Sequence, residues 1–508
     1  MTQRRASIQP IKSKLRISIL EDEEVEKINE TALTILEEVG IKVPSEKALK
    51  IYAEAGANVD FDSQTVRIPS HLVADSLAKA PRRYTLCGRR PDLDAKVGGE
   101  EGTYFYCSGE APKVVDLKTG ERRISIKTDV ENMAKIADYL PIVSLVWPTV
   151  SAGDMGRTAP IHGVEACFNN TEKHVQTESV MDEISAKYAI EMASVVAGGR
   201  DKLRARPLFS LLLCAIAPLA HDGGGIESAL AFAEAGLPIG FMSMPTLGLT
   251  APPYQASCLA TGLAEVLSGC VLIQIAHPGT PNYITIIPAV VDPRSGDYFM
   301  GSSFAQVASA AAVQLAHSHG LPVTGCMSFG GGAYKLNSWQ AGIENVFVHL
   351  LAVMAGADMS FGPSGMIEAV SLLDMRRILF DREILQAIDI ITDGIEVNDT
   401  TLAFDMVREV GPLGMFLGHR RTAKELPRLW PPSILFEKPN LADEKYRDPL
   451  EVAHEAIDWI LKNHQPAPLP EEAKRELRKI AAAADRDENL KGHSARRVDR
   501  SHSQLPRA

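Results

Sequence analysis

PVTGCMSFGGGAYKLNSWQAGIE, residues 322–344, passes from an apolar run behind Pro322 through Gly330, Gly331 and Gly332 into a polar and aromatic segment, and then into a helix. Asn337 followed by Gln340 makes an N-terminal capping signature. That signature sets Trp339, Gln340 and Glu344 at the start of the helix, with Gln340 and Glu344 one turn apart. A strand, a flexible glycine turn and a helix N-terminus together form the usual mouth of a barrel or open-sheet active site.

The neighbouring segments repeat the pattern. Apolar, strand-like runs fall near 143–149, 173–178, 207–216, 238–244, 271–277, 284–291, 322–328 and 358–362. Helical segments lie between most of them, at 181–198, 225–235, 253–269, 302–319, 338–355 and 367–390. Strand and helix alternating over about 250 residues predict a parallel sheet, and eight runs predict a closed (β/α)8 barrel of the TIM type. The gap after His277 is too short for a crossover helix. One of the two runs beside it therefore reads as an excursion, leaving seven strands and one not yet recognised.

The barrel is expected over 127–392. Before it lie a mobile arm at 1–20 and an α+β cap at 21–126, with helices near 21–40, 45–55 and 69–79 and a strand within 59–68. Tyr104, Phe105 and Tyr106, the densest aromatic group, read as a strand of this cap with core packing as their main role. After the barrel come a helical appendage at 393–484, whose last two helices are joined by QPAPLP, and a polar tail at 485–508 expected to be disordered.

Of the 508 residues, 45% are hydrophobic and 23% charged, as in a soluble globular protein. A formal net charge of −11 argues against a nucleic-acid partner. No run of about 18 apolar residues suggests a membrane span, and the N-terminus has no apolar signal core. The seven cysteines are scattered in apolar surroundings such as LLLCAIA and LSGCVLI, which suits a reducing, cytoplasmic setting. No zinc-type spacing occurs, and His317 and His319 complement a helix C-terminus rather than share a metal. No metal site is expected.

In a parallel barrel the active site lies at the C-terminal ends of the strands. Reading across those ends gives Asn169 with Lys173, Pro218, Met244 with Pro245 and Thr246, His277, Asp292 with Tyr298, Ser328 with the glycines, and 362–365 with Glu368. Such a mouth, rich in Gly, Pro and Met and poor in basic groups, suits a cationic or neutral small molecule better than a phosphate ester. A quaternary ammonium ligand wants aromatic faces and a carboxylate, which Tyr298, Tyr334, Trp339 and Glu368 could supply. His277 is a further candidate at a strand end. Glu265, a charge inside the apolar helix GLAEVLSG, must be paired or face the site. No nucleophile elbow, P-loop or dinucleotide fingerprint is present, and no catalytic residue is assigned.

TALTILEEVGIKV and AEAGANVDFDSQTVRIP near the start, KVVDLKTGERR, KTDVENMAKIADYL and NNTEKH in the middle, and AEVLSGCVLIQIAHPGTP, QAGIE and EVGPLGMFLGHRRT later on carry a family pattern. Through them the chain resembles the trimethylamine methyltransferase family, in its branch lacking pyrrolysine. The resemblance implies a (β/α)8 barrel that passes a methyl group from a methylated amine to the cob(I)alamin of a separate small corrinoid protein. It implies no tightly bound cofactor. Where the archetypal members hold pyrrolysine, this sequence has the Ser328–Gly332 stretch, which points to quaternary amines such as glycine betaine. A homo-oligomer is expected. A noncatalytic protein that binds a methylated amine, or a barrel enzyme with another methyl acceptor, are the alternatives.

Overall fold

The computed structural model describes residues 4–107, 109–294, 296, 298–325, 338–429, 433 and 447–490. Its centre is a ring of eight parallel strands: β1 (Tyr104–Tyr106), β2 (Val143–Val146), β3 (His174–Thr177), β4 (Phe209–Cys214), β5 (Ile239–Ser243), β6 (Asn282–Ile286), β7 (Thr324–Gly325) and β8 (Met359–Phe361). β8 pairs with β1, and a bridge between Ile284 and Val323 closes the ring, with Ile284 N–H donating to the Pro322 carbonyl at 3.1 Å. The strands read as short continuous apolar runs because helices cover their outer face and side chains fill the lumen. Gly240 shows how tightly the lumen is filled: a Cβ there would lie 2.2 Å from the Tyr283 ring on the next strand.

One helix follows each strand: α1 (Lys127–Tyr139), α2 (Ala159–Asn170), α3 (Glu183–Ala197), α4 (Gly223–Glu234), α5 (Gln255–Ala276), α6 (Ser303–Ser318), α7 (Trp339–Ala355) and α8 (Arg377–Asp393). α5 is the exception in character. Its 22 residues are apolar enough to cross a membrane, yet 89% of the apolar window is buried in this fold. The N-terminal helices Asp22–Thr34, Glu46–Glu54 and Ser70–Leu77 cover its outer side. Tyr52 donates to the Ser268 carbonyl at 2.8 Å across that contact. A helix packed on every side loses its amphipathic period.

That explains one correction. The run at 271–277 is the end of α5, not a strand, and the missing strand is Tyr104–Tyr106, which sequence placed in the cap. All three of those side chains are buried, so no alternation marks them. The segment read as a mobile arm is also corrected. Ile11 and Thr103 exchange backbone hydrogen bonds at 3.0 and 2.9 Å, and Lys14 and Ile17 donate to the carbonyls of Thr392 and Met354. These bonds tie the segment to the N-terminal end of the barrel. At the other terminus, helix Pro449–Asn463 lies on α1, and helix Glu471–Arg486 lies on α2 and α3. Residues 485–490 belong to this packed region, Leu490 being buried, so the expected tail begins too early; 491–508 fall outside the described residues.

Candidate active site

At the C-terminal ends of the strands the connections build a cavity of about 690 Å³, within the range of small-molecule sites. Each strand positions part of its wall. Glu110 follows β1, Ser151 and Arg157 follow β2, and Glu178, Ser179 and Met181 follow β3. Cys214 ends β4, Met242 lies in β5 and Met244 just beyond it. Tyr298 and Met300 come from the hairpin after β6, which pairs Val290–Val291 with Tyr298–Phe299. Ala369 and Val370 come from a hairpin after β8, between Met366–Ile367 and Leu372–Leu373.

That last turn is strained. Glu368, Ala369 and Val370 have φ of 55, 48 and 72° in succession, a left-handed conformation costly for residues with a Cβ. It is held from three sides. Ser371 N–H and Oγ both donate to the Glu368 carbonyl, Arg122 pairs with the Glu368 carboxylate, and Gly109 leaves room for Val370, which a Cβ there would approach to 2.9 Å.

Two carboxyl groups dominate the electrostatics. Burial pushes the Glu110 carboxyl up to about 7, with the hydroxyls of Ser179 and Ser151 pulling the other way. Burial, and then the charge of Glu110, pushes Glu178 up to about 8. Burial in one partly dry space disfavours the charged form of both carboxyls. Four methionines, Met181, Met242, Met244 and Met300, surround them with polarizable sulfur. Burial is the chief cause that raises the pKa of the Tyr298 hydroxyl, with a hydrogen bond to Thr246 pulling the other way. Arg157 is the single cationic residue among the described wall residues. Its Nη1 and Nη2 donate to the carbonyls of Leu490 and Asp485 at 3.0 and 2.8 Å, which fixes the guanidinium and leaves it further N–H donors.

The residues expected from sequence divide sharply. Tyr298 lies in the cavity wall, and Glu368 lies beside it, adjacent to Ala369. Glu368 opens no helix, because α8 begins only at Arg377. Glu265 is fully buried behind the wall, accepting from Leu219 N–H at 2.8 Å and from the Ser243 hydroxyl at the end of β5, with its pKa raised by burial. Glu344 is buried against Gly301 and accepts from Gln340 Nε2 at 2.7 Å, one turn apart on α7, whose N-cap is Ser338 and not the Asn337 of the expected signature. Neither Gln340 nor Glu344 belongs to the described cavity wall. Trp339 opens α7 but is 84% exposed, outside the wall. Tyr334 lies outside the described residues, as does the whole stretch 326–337.

Two strand-end assignments are corrected. His277 caps the C-terminus of α5 and so sits at the opposite end of the barrel, where helices lead into strands. Lys173 precedes β3 and is buried at the same far end. Its ammonium donates to the carbonyls of Ala137, Leu140 and Val143 at 2.6 to 2.8 Å, closing the end of α1. His317 and His319 bond to Asp358 and Asn29 respectively.

Glu110, Glu178 and Arg157 were missed. Glu178 is the residue after the strand ending in HVQT, so the rule that strand ends carry chemistry could have found it. Glu110 was hidden because its strand was assigned to the cap.

The family model for trimethylamine methyltransferase (MTTB) matches residues 2–489. The chain is 34% identical to the trimethylamine methyltransferase MttB of Desulfitobacterium hafniense (strain DSM 10664 / DCB-2) over 428 residues, 84% of this chain and 85% of the relative. It is 30% identical to the trimethylamine methyltransferase MttB of Methanosarcina barkeri over 438 residues, 84% of this chain and 87% of that one. A glycine betaine methyltransferase from Desulfitobacterium hafniense (strain Y51) matches at 28% over 479 residues, 92% of this chain and 97% of the relative. The (β/α)8 barrel with its strand-end cavity is a methyltransferase, and the chain belongs to the trimethylamine methyltransferase family.

Proposed function

We propose that this methyltransferase takes a methyl group from a quaternary amine bearing a carboxylate, a betaine, and delivers it to the cobalt of a corrinoid carried by a separate protein. The observation that carries this reading is the composition of one cavity: two proton-holding carboxyls, four methionines and an aromatic ring, with one fixed guanidinium. Arg157 and Tyr298 belong to the connections after β2 and β6, four strands apart in a ring of eight. A trimethylammonium group would lie against Tyr298 and the methionines, balanced by Glu110 and Glu178. Its carboxylate would lie on Arg157, where charge-assisted hydrogen bonds orient it.

A reduced corrinoid supplies a cobalt nucleophile that accepts the methyl group. The cavity suits a small amine, and a corrin ring would come to its rim on the partner. The chain's own task is orientation and exclusion of water, so that one N-methyl points outward along the line of attack. A quaternary nitrogen is already cationic and leaves as a neutral amine without prior protonation, and no pyrrolysine is written in this sequence. The relatives named for trimethylamine support a tertiary amine as the second reading.

The test is a panel of glycine betaine, other betaines, choline and trimethylamine, each incubated with the protein and cob(I)alamin. Loss of cob(I)alamin with formation of the demethylated amine is expected for a betaine. Turnover of trimethylamine alone would replace this reading with the second, and no turnover of any amine would remove both.

A further inference from the structure

Arg157 lines the strand-end cavity, yet its own turn does little to hold it. It lies in the short segment Gly153–Thr158 between β2 and α2, where Gly156 has φ of 57°, and it is exposed. A long side chain left to itself in such a turn samples many rotamers, and a ligand that recruits it must order it. What orders it here comes from the C-terminal helix. The carbonyls that accept from its guanidinium are those of Asp485, in the last turn of helix Glu471–Arg486, and of Leu490, just beyond it.

The end of that helix is tied back to the same turn by side chains. Asp485 accepts through Oδ1 from the Thr158 hydroxyl at 2.6 Å and from His162 Nε2 at 3.1 Å. The Lys127 ammonium lies 3.1 Å from His162 Nδ1 and pairs with Glu165. An ammonium can only donate, so Nε2 is the ring nitrogen that donates to Asp485. Lys127 also gives its backbone N–H to Asp154, inside the turn, at 2.7 Å. Beyond Asp485, the Tyr188 hydroxyl of α3 donates to Asp487 at 3.1 Å, and Leu490 is buried. Thr158, His162 and Glu165 are buried as well, whereas the Asp485 side chain is 46% exposed. The helix does not need Asp485 for its packing, because Leu477, Ala481 and Ala484 already supply its buried side.

We infer that Asp485 is a positioning residue for Arg157: by fixing the end of the C-terminal helix on Thr158 and His162, it keeps two carbonyls against the guanidinium and presents an ordered arginine to the anionic end of the substrate. This role rests on the betaine reading for the ligand it serves; the anchoring of Arg157 itself is the same for any amine. Asp485 touches no substrate and acts only through Arg157. Its contribution is preorganisation, since the arginine is ordered when the chain folds and not when the ligand binds.

Two readouts on the full-length chain test this. Crystals of Asp485→Ala are expected to show the helix in place and the Arg157 guanidinium detached from the two carbonyls. Calorimetry on the same variant is expected to show a Kd for glycine betaine raised roughly 3- to 10-fold and an unchanged Kd for tetramethylammonium, which has no carboxylate. Asp485→Asn keeps Oδ1 as the acceptor of both hydrogen bonds and should bind glycine betaine nearly as the wild type does. Thr158→Val removes one of the two bonds and should move binding in the same direction as Asp485→Ala, by less. Asp485→Ala combined with Arg157→Gln should lose no more than Arg157→Gln alone, because the two changes act on one contact. Arg157 unmoved in the Asp485→Ala crystals, equal losses for the two ligands, or additive losses in the double variant would each overturn the inference. Arg157→Gln binding both ligands as the wild type does would instead remove the betaine reading, and the place of Arg157 in the Asp485→Ala crystals then decides the inference alone.

Discussion

Glu178 and Glu110 face one cavity, and the charge of Glu110 adds to burial in raising the Glu178 carboxyl to about 8. On the proposed reading, a cationic ligand favours the charged forms of both carboxyls and displaces their protons. Binding of a quaternary amine is therefore expected to release protons and to tighten as pH rises from about 7 to about 8. Calorimetry in buffers of differing ionisation enthalpy measures the release directly. Glu178→Gln should abolish most of it and weaken binding on the order of 10-fold; unchanged release would mean that these carboxyls do not meet the ligand.

The same pair sets a stability trend. A carboxyl raised in the folded chain is still protonated there while the unfolded chain, with an ordinary value of 4.5, has already lost its proton. Ligand-free stability is then greatest at low pH within this window and falls as pH rises from about 4.5 to about 8. Chemical denaturation across that range should show a shallower fall in Glu178→Gln than in the wild type.

On the proposed reading, Tyr298 offers a ring to the ammonium group rather than a proton. Tyr298→Phe should retain binding, whereas Tyr298→Ala should lose roughly 3- to 30-fold in affinity, the range of a desolvated cation–π contact. Equal losses in both variants would assign the work to the hydroxyl.

Arg157 is held by two backbone carbonyls and has donors to spare. Arg157→Gln should raise the Kd for glycine betaine by about 10- to 100-fold and leave that for tetramethylammonium nearly unchanged. Calorimetry with the two ligands separates the carboxylate contact from general damage to the site.

Packing inside the ring predicts one structural cost. Gly240→Ala drives a methyl group into the Tyr283 ring, and overpacking of this kind costs about 1–3 kcal/mol. Urea denaturation should show that loss, together with reduced activity if the floor of the cavity shifts.

Much of this architecture was legible in the residues and some was not, for identifiable reasons. The parallel runs from β2 to β8 announce themselves because strands buried on both faces are short, apolar and regularly spaced. β1 did not, since three consecutive buried aromatics carry no period and their neighbours form hairpins. α5 misled in the opposite sense: covered outside by the N-terminal helices and inside by the barrel strands, it presents a continuous apolar run that resembles a strand, and His277 was misplaced with it. Tyr298 was found because it follows a visible strand. Glu110 was lost with β1, and Arg157 because its connection carries no pattern that separates a cavity residue from a surface one.

The most direct test of the central claim is a crystal structure of the protein with glycine betaine bound. The trimethylammonium group is expected within about 6 Å of the Tyr298 ring centre, with Glu110 and Glu178 beside it and the carboxylate on Arg157. Betaine bound elsewhere, or seated in the cavity with its carboxylate away from Arg157 and its methyl groups away from Tyr298, would contradict it.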